Sequence, residues 1–349
     1  MCLFFSCCAS PADDIDETDC GECSQQCEFI EEIAHFCSSS ISSSSSSLRE
    51  TSYVFFSLNC QLLRGVCRGQ GGRPSYLLLR AACLANRLAS IEEFVDAIAL
   101  QECFDEESTS LLIRKLSAYF PHVIRGKAKS GLVILSKLPV RHSVFHEFKT
   151  SSGGERLFFN KGVLGVALSD PDEDTTVCMF NAHLQSDFWR ESRETREEQA
   201  KEMKTFVQKS IHSRVFVGSS SSDVIDAAVV CGDLNCIAGS AEYEKIMEVL
   251  GGEKQTFRDT LRIGDDDDES LQTFPECTYS LKKGRYVVVD ETTKKKRLDY
   301  IFEISEEGEV KMSRRRKTKA RVVRALRDDN NVPLSDHRGI IAAIERVYT

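Results

Sequence analysis

The sequence predicts an α/β fold with mixed sheets, built as one domain of about 300 residues from position 50 onward. Short apolar runs of strand character alternate with longer stretches whose apolar residues recur at helical spacing. Several strand-like runs follow one another directly, which points to mixed rather than purely parallel sheets. Polar residues also gather at the ends of the apolar runs: Asn59, Glu102, His183, Asp233 with Asn235, Asp299, and Asp336 with His337. Strand ends are where α/β proteins build their sites.

The elements follow in order. "SYVFFSLNC" from Ser52 is a strand, and "YLLLRAACLANRLASIEEF" from Tyr76 carries apolar residues at helical spacing. "VDAIALQE" is the next strand and "STSLLIRKLSAYF" the next helix. Three strands come in succession: "GLVILSKLPV", "FFNKGVLGVALSD" and "TTVCMFNAHL". "RESRETREEQAKEMKTFVQKSI" is a long charged helix with Met203, Phe206 and Val207 on its inner side. "DAAVVCGDLN" is a strand, and "AEYEKIMEVLGG" a helix with Gly251 placed to end it. Strands "RYVVVDE", "RLDYIFEI" and "GIIAAIERVY" complete the domain.

Residues 1–50 differ from the rest and are read as a solvated, disordered tail ahead of a domain at 51–349. They hold seven of the 15 cysteines, the acidic "DDIDETD" and the serine run "SSSISSSSSS". Cys20, Cys23 and Cys27 with His35 and Cys37 offer zinc-ligand chemistry, but the spacing is irregular and no second paired knuckle follows. Cys2, Cys7 and Cys8 beside Leu3, Phe4 and Phe5 suit acylation. The remaining cysteines mostly sit in apolar runs, which points to a reducing, cytoplasmic setting, and acylation of the N-terminal cysteines would add peripheral membrane association. Secretion is the weaker alternative, since "MCLFFSCCASPA" has a short apolar core but no basic residues before it. No stretch approaches the roughly 18–20 apolar residues of a membrane-spanning helix. A net charge of −9 argues against a protein that coats nucleic acid non-specifically.

"VVCGDLNC" at 229–236 is an apolar run that stops at Gly232 and then presents Asp233 and Asn235. Alone it reads as a turn, since Gly, Asp and Asn begin turns. A strand nevertheless puts residues i and i+2 on one face, so both side chains can enter a cleft at the sheet's edge. Asp299 in "RLDYIF" interrupts a strand, where aspartate is disfavoured. Taken together, the strand-end residues supply what phosphoryl chemistry needs. Glu102, Asp336 and the side-chain oxygen of Asn59 suit a hard cation such as Mg²⁺, with Asp233 and Asn235 alongside. His337 is the natural base for the attacking water, with Asp299 fixing its other ring nitrogen. Asn235 and His183 are donors for charge developing on the phosphate.

"LQE", "NAHLQ", "CGDLN", "RLDYIF" and "LSDH", in this order, resemble the endonuclease/exonuclease/phosphatase superfamily of metal-dependent phosphoesterases. The resemblance covers about residues 50–349. It implies a DNase I-like four-layer α/β sandwich, with two mixed sheets face to face and helices outside. It further implies that Asn59, Glu102 and Asp336 surround Mg²⁺ (Mn²⁺ as alternative), with Asp233 beside them. Asp233 and Asn235 would face the scissile phosphate, His337 with Asp299 would activate water, and His183 would fill a further catalytic position.

Within the superfamily the chain is most similar to the neutral sphingomyelinases, through "FFSLNCQLL", "KSGLVILSKLPV", "NKGVLGVAL", "NAHLQSDFW" with Arg193, Arg196 and Gln199, and "PLSDHRGIIAAI". Lys161 of the Lys161-Gly162 pair joins the substrate-binding set on this resemblance. The implied activity is hydrolysis of sphingomyelin, or a related phosphosphingolipid, to ceramide and a phosphorylated head group. The implied partner is a phospholipid at a membrane surface; a DNA or RNA nuclease is the alternative, and a catalytically silent scaffold a third reading. Residues 294–327 carry 13 Lys/Arg against five Asp/Glu, a charge that suits an anionic membrane or a nucleic-acid backbone. "DDDDE" at 265–269 reads as an exposed loop.

Overall fold

The computed structural model describes residues 24–40, 52–63, 74–172, 174–187, 191–218, 224–251, 255–261, 269–280, 285–289, 292–306 and 316–346. In chain order the elements begin α1 (Ser24–Ser40), β1 (Ser52–Leu62), α2 (Pro74–Ala89), β2 (Ala97–Cys103), α3 (Glu106–Leu116), β3 (His122–Arg125) and β4 (Val133–Ser136). They continue with β5 (Val140–Glu147), α4 (Glu155–Phe158), β6 (Gly162–Asp170), β7 (Thr175–His183), α5 (Ser192–Ile211), α6 (Arg214–Val217) and β8 (Ile225–Asp233). The remainder are α7 (Ala241–Leu250), β9 (Gln255–Asp259), β10 (Cys277–Ser280), β11 (Arg285–Val288), β12 (Asp299–Glu306), β13 (Arg316–Val322) and β14 (Ile340–Arg346).

The strands form two six-stranded sheets, ordered β13-β14-β1-β2-β4-β3 and β5-β6-β7-β8-β12-β9, plus the hairpin β10-β11. Each large sheet is mixed: β1 runs parallel to β2, β7 runs parallel to β8, and the other pairs are antiparallel. Period-two alternation decides which core each side chain enters. Along β1, Val54, Phe56, Leu58, Cys60 and Leu62 pack outward with Leu84, Leu88 and Leu112 of α2 and α3. Tyr53 and Phe55 point inward, where they meet Leu164, Val166, Met179 and Val229 of the second sheet. The second sheet's outer face packs on α5 through Met203 and Val207, and on α7 through Tyr243 and Ile246. The result is the expected α/β/β/α sandwich.

The segment read as a tail contains a helix. In α1, Phe29, Ile33 and Phe36 are buried in the outer core of the first sheet. Their i, i+4, i+7 spacing makes one apolar stripe, set among cysteines and serines that suggest a solvated segment. Glu32 of α1 reaches Arg321 at 3.1 Å, and Glu28 pairs with Arg324. The N-terminal acylation candidates, Cys20, Cys23 and residues 265–268 of the acidic run lie outside the described residues. Among the described residues no helix is long and apolar enough to cross a membrane.

Candidate active site

β1, β2, β7, β8 and β12 end at the same rim, because the parallel pairs β1–β2 and β7–β8 lie in facing sheets and β12 starts opposite the end of β8, with Asp299 paired to Asp233. Three residues at this rim hold left-handed backbone angles without being glycine: Gln61 (φ 49°), Glu102 (φ 54°) and Asn235 (φ 51°). Such conformations are unfavourable singly and cluster at sites that need a side chain re-aimed. Gly232 has φ 145°, and a Cβ there would sit 1.9 Å from the Ala182 carbonyl oxygen. Only glycine lets β8 pass so close to β7 just before Asp233.

The strand-end residues singled out from sequence converge. His337 Nδ1 lies 2.8 Å from Asp299 Oδ2, while its Nε2 faces Asp336 Oδ1 at 3.8 Å and Asp233 Oδ2 at 3.9 Å. The Asn59 amide donates to Glu102 Oε1 (3.1 Å) and Asp233 Oδ2 (3.0 Å). The Asn59 oxygen, expected to face a cation, accepts from the Gln61 backbone N–H at 3.0 Å, so Asn59 bridges the two carboxylates through its nitrogen. Asp233 Oδ1 accepts from the Asn235 N–H at 2.7 Å.

His183 Nε2 lies 3.0 Å from Lys161 Nζ and 3.2 Å from Asn235 Nδ2, and 3.7 Å from Asp233 Oδ2. Burial, then the Lys161 charge, holds this imidazole well below the usual histidine range. A neutral ring facing two donors accepts at Nε2, so His183 orients Lys161 and Asn235 rather than donating from that nitrogen itself. Lys161 Nζ also donates to the Leu184 carbonyl at 2.7 Å and pairs with Glu155 at 3.1 Å.

The electrostatics are those of crowded carboxylates. Burial, reinforced by Asp299, pushes Asp233 up to about 6. Burial also raises Asp336 to about 6, with Glu102 adding repulsion that His337 partly offsets, and it raises Glu102. Burial alone would lower His337, but the Asp299 and Asp336 carboxylates outweigh it and hold the imidazole well above its usual range. Glu102, His183 and Asp233 bring ligand atoms within 4.8 Å of one another, as do Asp233, Asp299 and His337. The buried Asp336 Oδ1 has no hydrogen-bond partner. The Glu102 and Asp233 carboxylates are donors that fit a hard divalent cation, and the orphaned Asp336 Oδ1 lies beside His337 in the same cleft.

Sequence reasoning passed over the residues that hold this set in place. Gln61 Nε2 donates to Asp336 Oδ2 at 2.5 Å. Arg80 of α2, 1% exposed, donates to the carbonyls of Cys60 (2.8 Å), Gln61 (3.1 Å) and Leu334 (2.9 Å), tying the end of β1 to the loop before Asp336. The Phe274 ring lies 4.8 Å from the His337 ring, and the Glu276 N–H donates to the Asp336 carbonyl at 2.8 Å. Of the residues matched to the neutral sphingomyelinases, Arg196 is buried in a two-pronged pair with Glu242 (2.6 and 3.0 Å), and Gln199 accepts from the Gln185 N–H at 2.8 Å. Both fix the chain leaving β7. Arg193 is exposed beside Glu242.

The acidic, histidine-bearing cleft offers a cluster that could hold a metal ion beside a histidine base, which suits phosphoester chemistry. A model of the Endonuclease/Exonuclease/phosphatase family matches residues 56–337, and the chain belongs to that family. Sphingomyelinase C of Leptospira interrogans is 24% identical over 175 residues, which are 44% of this chain and 30% of that protein. The chain spans less than two thirds of the length of the curated relatives it matches. Among solved structures, Staphylococcus aureus beta toxin with bound magnesium ions superposes with a TM-score of 0.59 at 20% identity, over 84% of this chain and 99% of that one. D. rerio TDP2 complexed with single strand DNA product superposes with a TM-score of 0.57 at 17% identity, over 84% of this chain and 99% of that one. At these identities the structural likeness is one of fold.

Proposed function

We propose that this enzyme is a Mg²⁺-dependent phosphodiesterase that hydrolyses sphingomyelin, or a related phosphosphingolipid, to ceramide and a phosphorylated head group. The observation that carries the reading is the His337–Asp299 pair, closed at 2.8 Å beside the carboxylates of Asp233 and Asp336. Asp299 holds the His337 Nδ1–H, which leaves Nε2 as the acceptor for the proton of a water attacking phosphorus in line. Lys161, whose N–H groups are held by His183, Leu184 and Glu155, would act on the phosphate through its charge, with Asn235 held beside it by the same imidazole. Glu102, Asp233 and Asp336 would hold the cation, with Asn59 and Gln61 fixing their orientation. Held by these residues, a cation would supply charge for the departing lipid oxygen and would offset the carboxylate field that raises His337. The choice of lipid is supported by the motif resemblance and by relatives named Sphingomyelinase C and Phospholipase C. The fold it shares with a neighbour solved with a single-strand DNA product favours a nuclease as the second reading.

His337→Ala should lower phosphocholine release from micellar sphingomyelin by about 10²–10⁴-fold with the fold retained by circular dichroism. An unaltered rate would remove His337 as the base. Chelation with EDTA should abolish release and added Mg²⁺ restore it.

A further inference from the structure

Residues 125–161 carry eight Lys/Arg against two Asp/Glu, in a chain of net charge −9. Both acids are internally paired, Glu147 with Lys127 at 2.6 Å and Glu155 with Lys161 at 3.1 Å. Lys129, Lys149 and Arg156 are exposed along this edge of the sandwich. In their midst α4 holds Leu157 77% and Phe158 48% exposed, adjacent large apolar side chains in water. Adjacent exposed apolar groups rimmed by charge mark an interaction surface. The segment is anchored: the Asn160 N–H and side-chain amide donate to the carbonyls of Lys129 (2.9 Å) and Ala128 (2.8 Å), and Arg156 reaches the Lys149 carbonyl. The patch also runs without a break into the cleft. Ring centroids step from Phe158 to Phe159 (6.3 Å), to Phe104 (4.4 Å), to His183 (6.4 Å).

In the other basic stretch, 294–327, five cations of the described residues are paired with acids. Arg297 pairs with Asp259, Lys295 and Arg327 face Glu276, and Arg321 and Arg324 meet the acids of α1.

We propose that α4 and its basic surround dock on a bilayer surface containing anionic phospholipid. Leu157 and Phe158 enter the interface, and Lys129, Lys149 and Arg156 lie at head-group level. An apolar wedge with a cationic collar gains from burial and from the negative surface potential together. Docked so, the aromatic path leads from the bilayer towards His183 and Lys161. This role rests on the lipid reading given above.

The test is co-sedimentation of the full chain with vesicles of phosphatidylcholine and phosphatidylserine, using wild type, L157S/F158S and K129Q/K149Q/R156Q. Each variant should lose about tenfold in the bound fraction, and added salt should weaken wild-type binding, with unchanged melting curves. Wild-type-like binding by both variants, or no binding by the wild type, overturns the proposal. Binding needs no turnover, so the two readings separate. Vesicle binding lost in the variants of a protein that hydrolyses no lipid keeps the docking face and sinks the substrate. Unchanged binding and unchanged hydrolysis of vesicle sphingomyelin by L157S/F158S sinks the docking face and keeps the substrate.

Discussion

Asp233, Asp299 and His337 stand out in the sequence because each breaks a local rule: a carboxylate or imidazole ends or interrupts an apolar strand. Gln61 and Arg80 broke no such rule. Gln61 lies 275 positions from the Asp336 it holds, and Arg80 is one of two arginines in a largely apolar helix, where an arginine is normally exposed. The orientation of Asn59 was equally hidden, since it depends on the Gln61 N–H two residues on. Asp96, half-buried, allows a test of partly desolvated charge away from the cleft. Its Oδ2 accepts from the Val54 N–H at 2.7 Å, yet burial raises its pKa from 3.8 to about 6. The folded state therefore binds more protons than the unfolded one between these values, and this group's contribution to stability falls as pH rises through that window. Asp96→Asn keeps an acceptor for Val54 and removes that charge. We expect it to raise stability at pH 7 by up to about 3 kcal/mol, an advantage that vanishes below about pH 4. Urea melts at the two pH values measure this; equal melts at pH 7 would contradict it.

The strands that sequence periodicity passed over include all four sheet edges: β3, β5, β9 and β13. The reason is physical. Central strands are buried on both faces and read as apolar runs, whereas edges carry charge that blocks further pairing, as "RKTKARV" does in β13. Helix α1 was missed for a different reason, its apolar stripe being diluted by the cysteines and serines around it. That helix is nonetheless part of the outer core, with Ile33 fully buried. Ile33→Ala should cost about 2–5 kcal/mol in chemical denaturation, the usual range for truncating a buried isoleucine. A loss below about 0.5 kcal/mol would mean that α1 rests on the sheet without supporting it.

Across the whole molecule, two sheets bring carboxylates from β2, β8 and the loop before β14 into one buried cluster whose members all titrate high. That arrangement costs stability unless a cation occupies it. Mg²⁺ should therefore raise the melting temperature. The gain is about 2.7 kcal/mol at a hundredfold excess over Kd, and Asp336→Asn should reduce it. Scanning fluorimetry across a Mg²⁺ series reads this directly, and a flat response would remove the cluster as a cation site. The order of strand-end motifs made the family legible from sequence. The substrate was less so, because the chain shares its fold with both a sphingomyelinase neighbour and one solved with a DNA product.

The most direct test of the central claim is phosphocholine release from sphingomyelin in mixed micelles by the purified protein, with Mg²⁺ and with EDTA, alongside single-stranded DNA. We predict release with Mg²⁺ alone and intact DNA. Shortened DNA beside untouched lipid would contradict the lipid assignment and move this chain to the nuclease branch of its family.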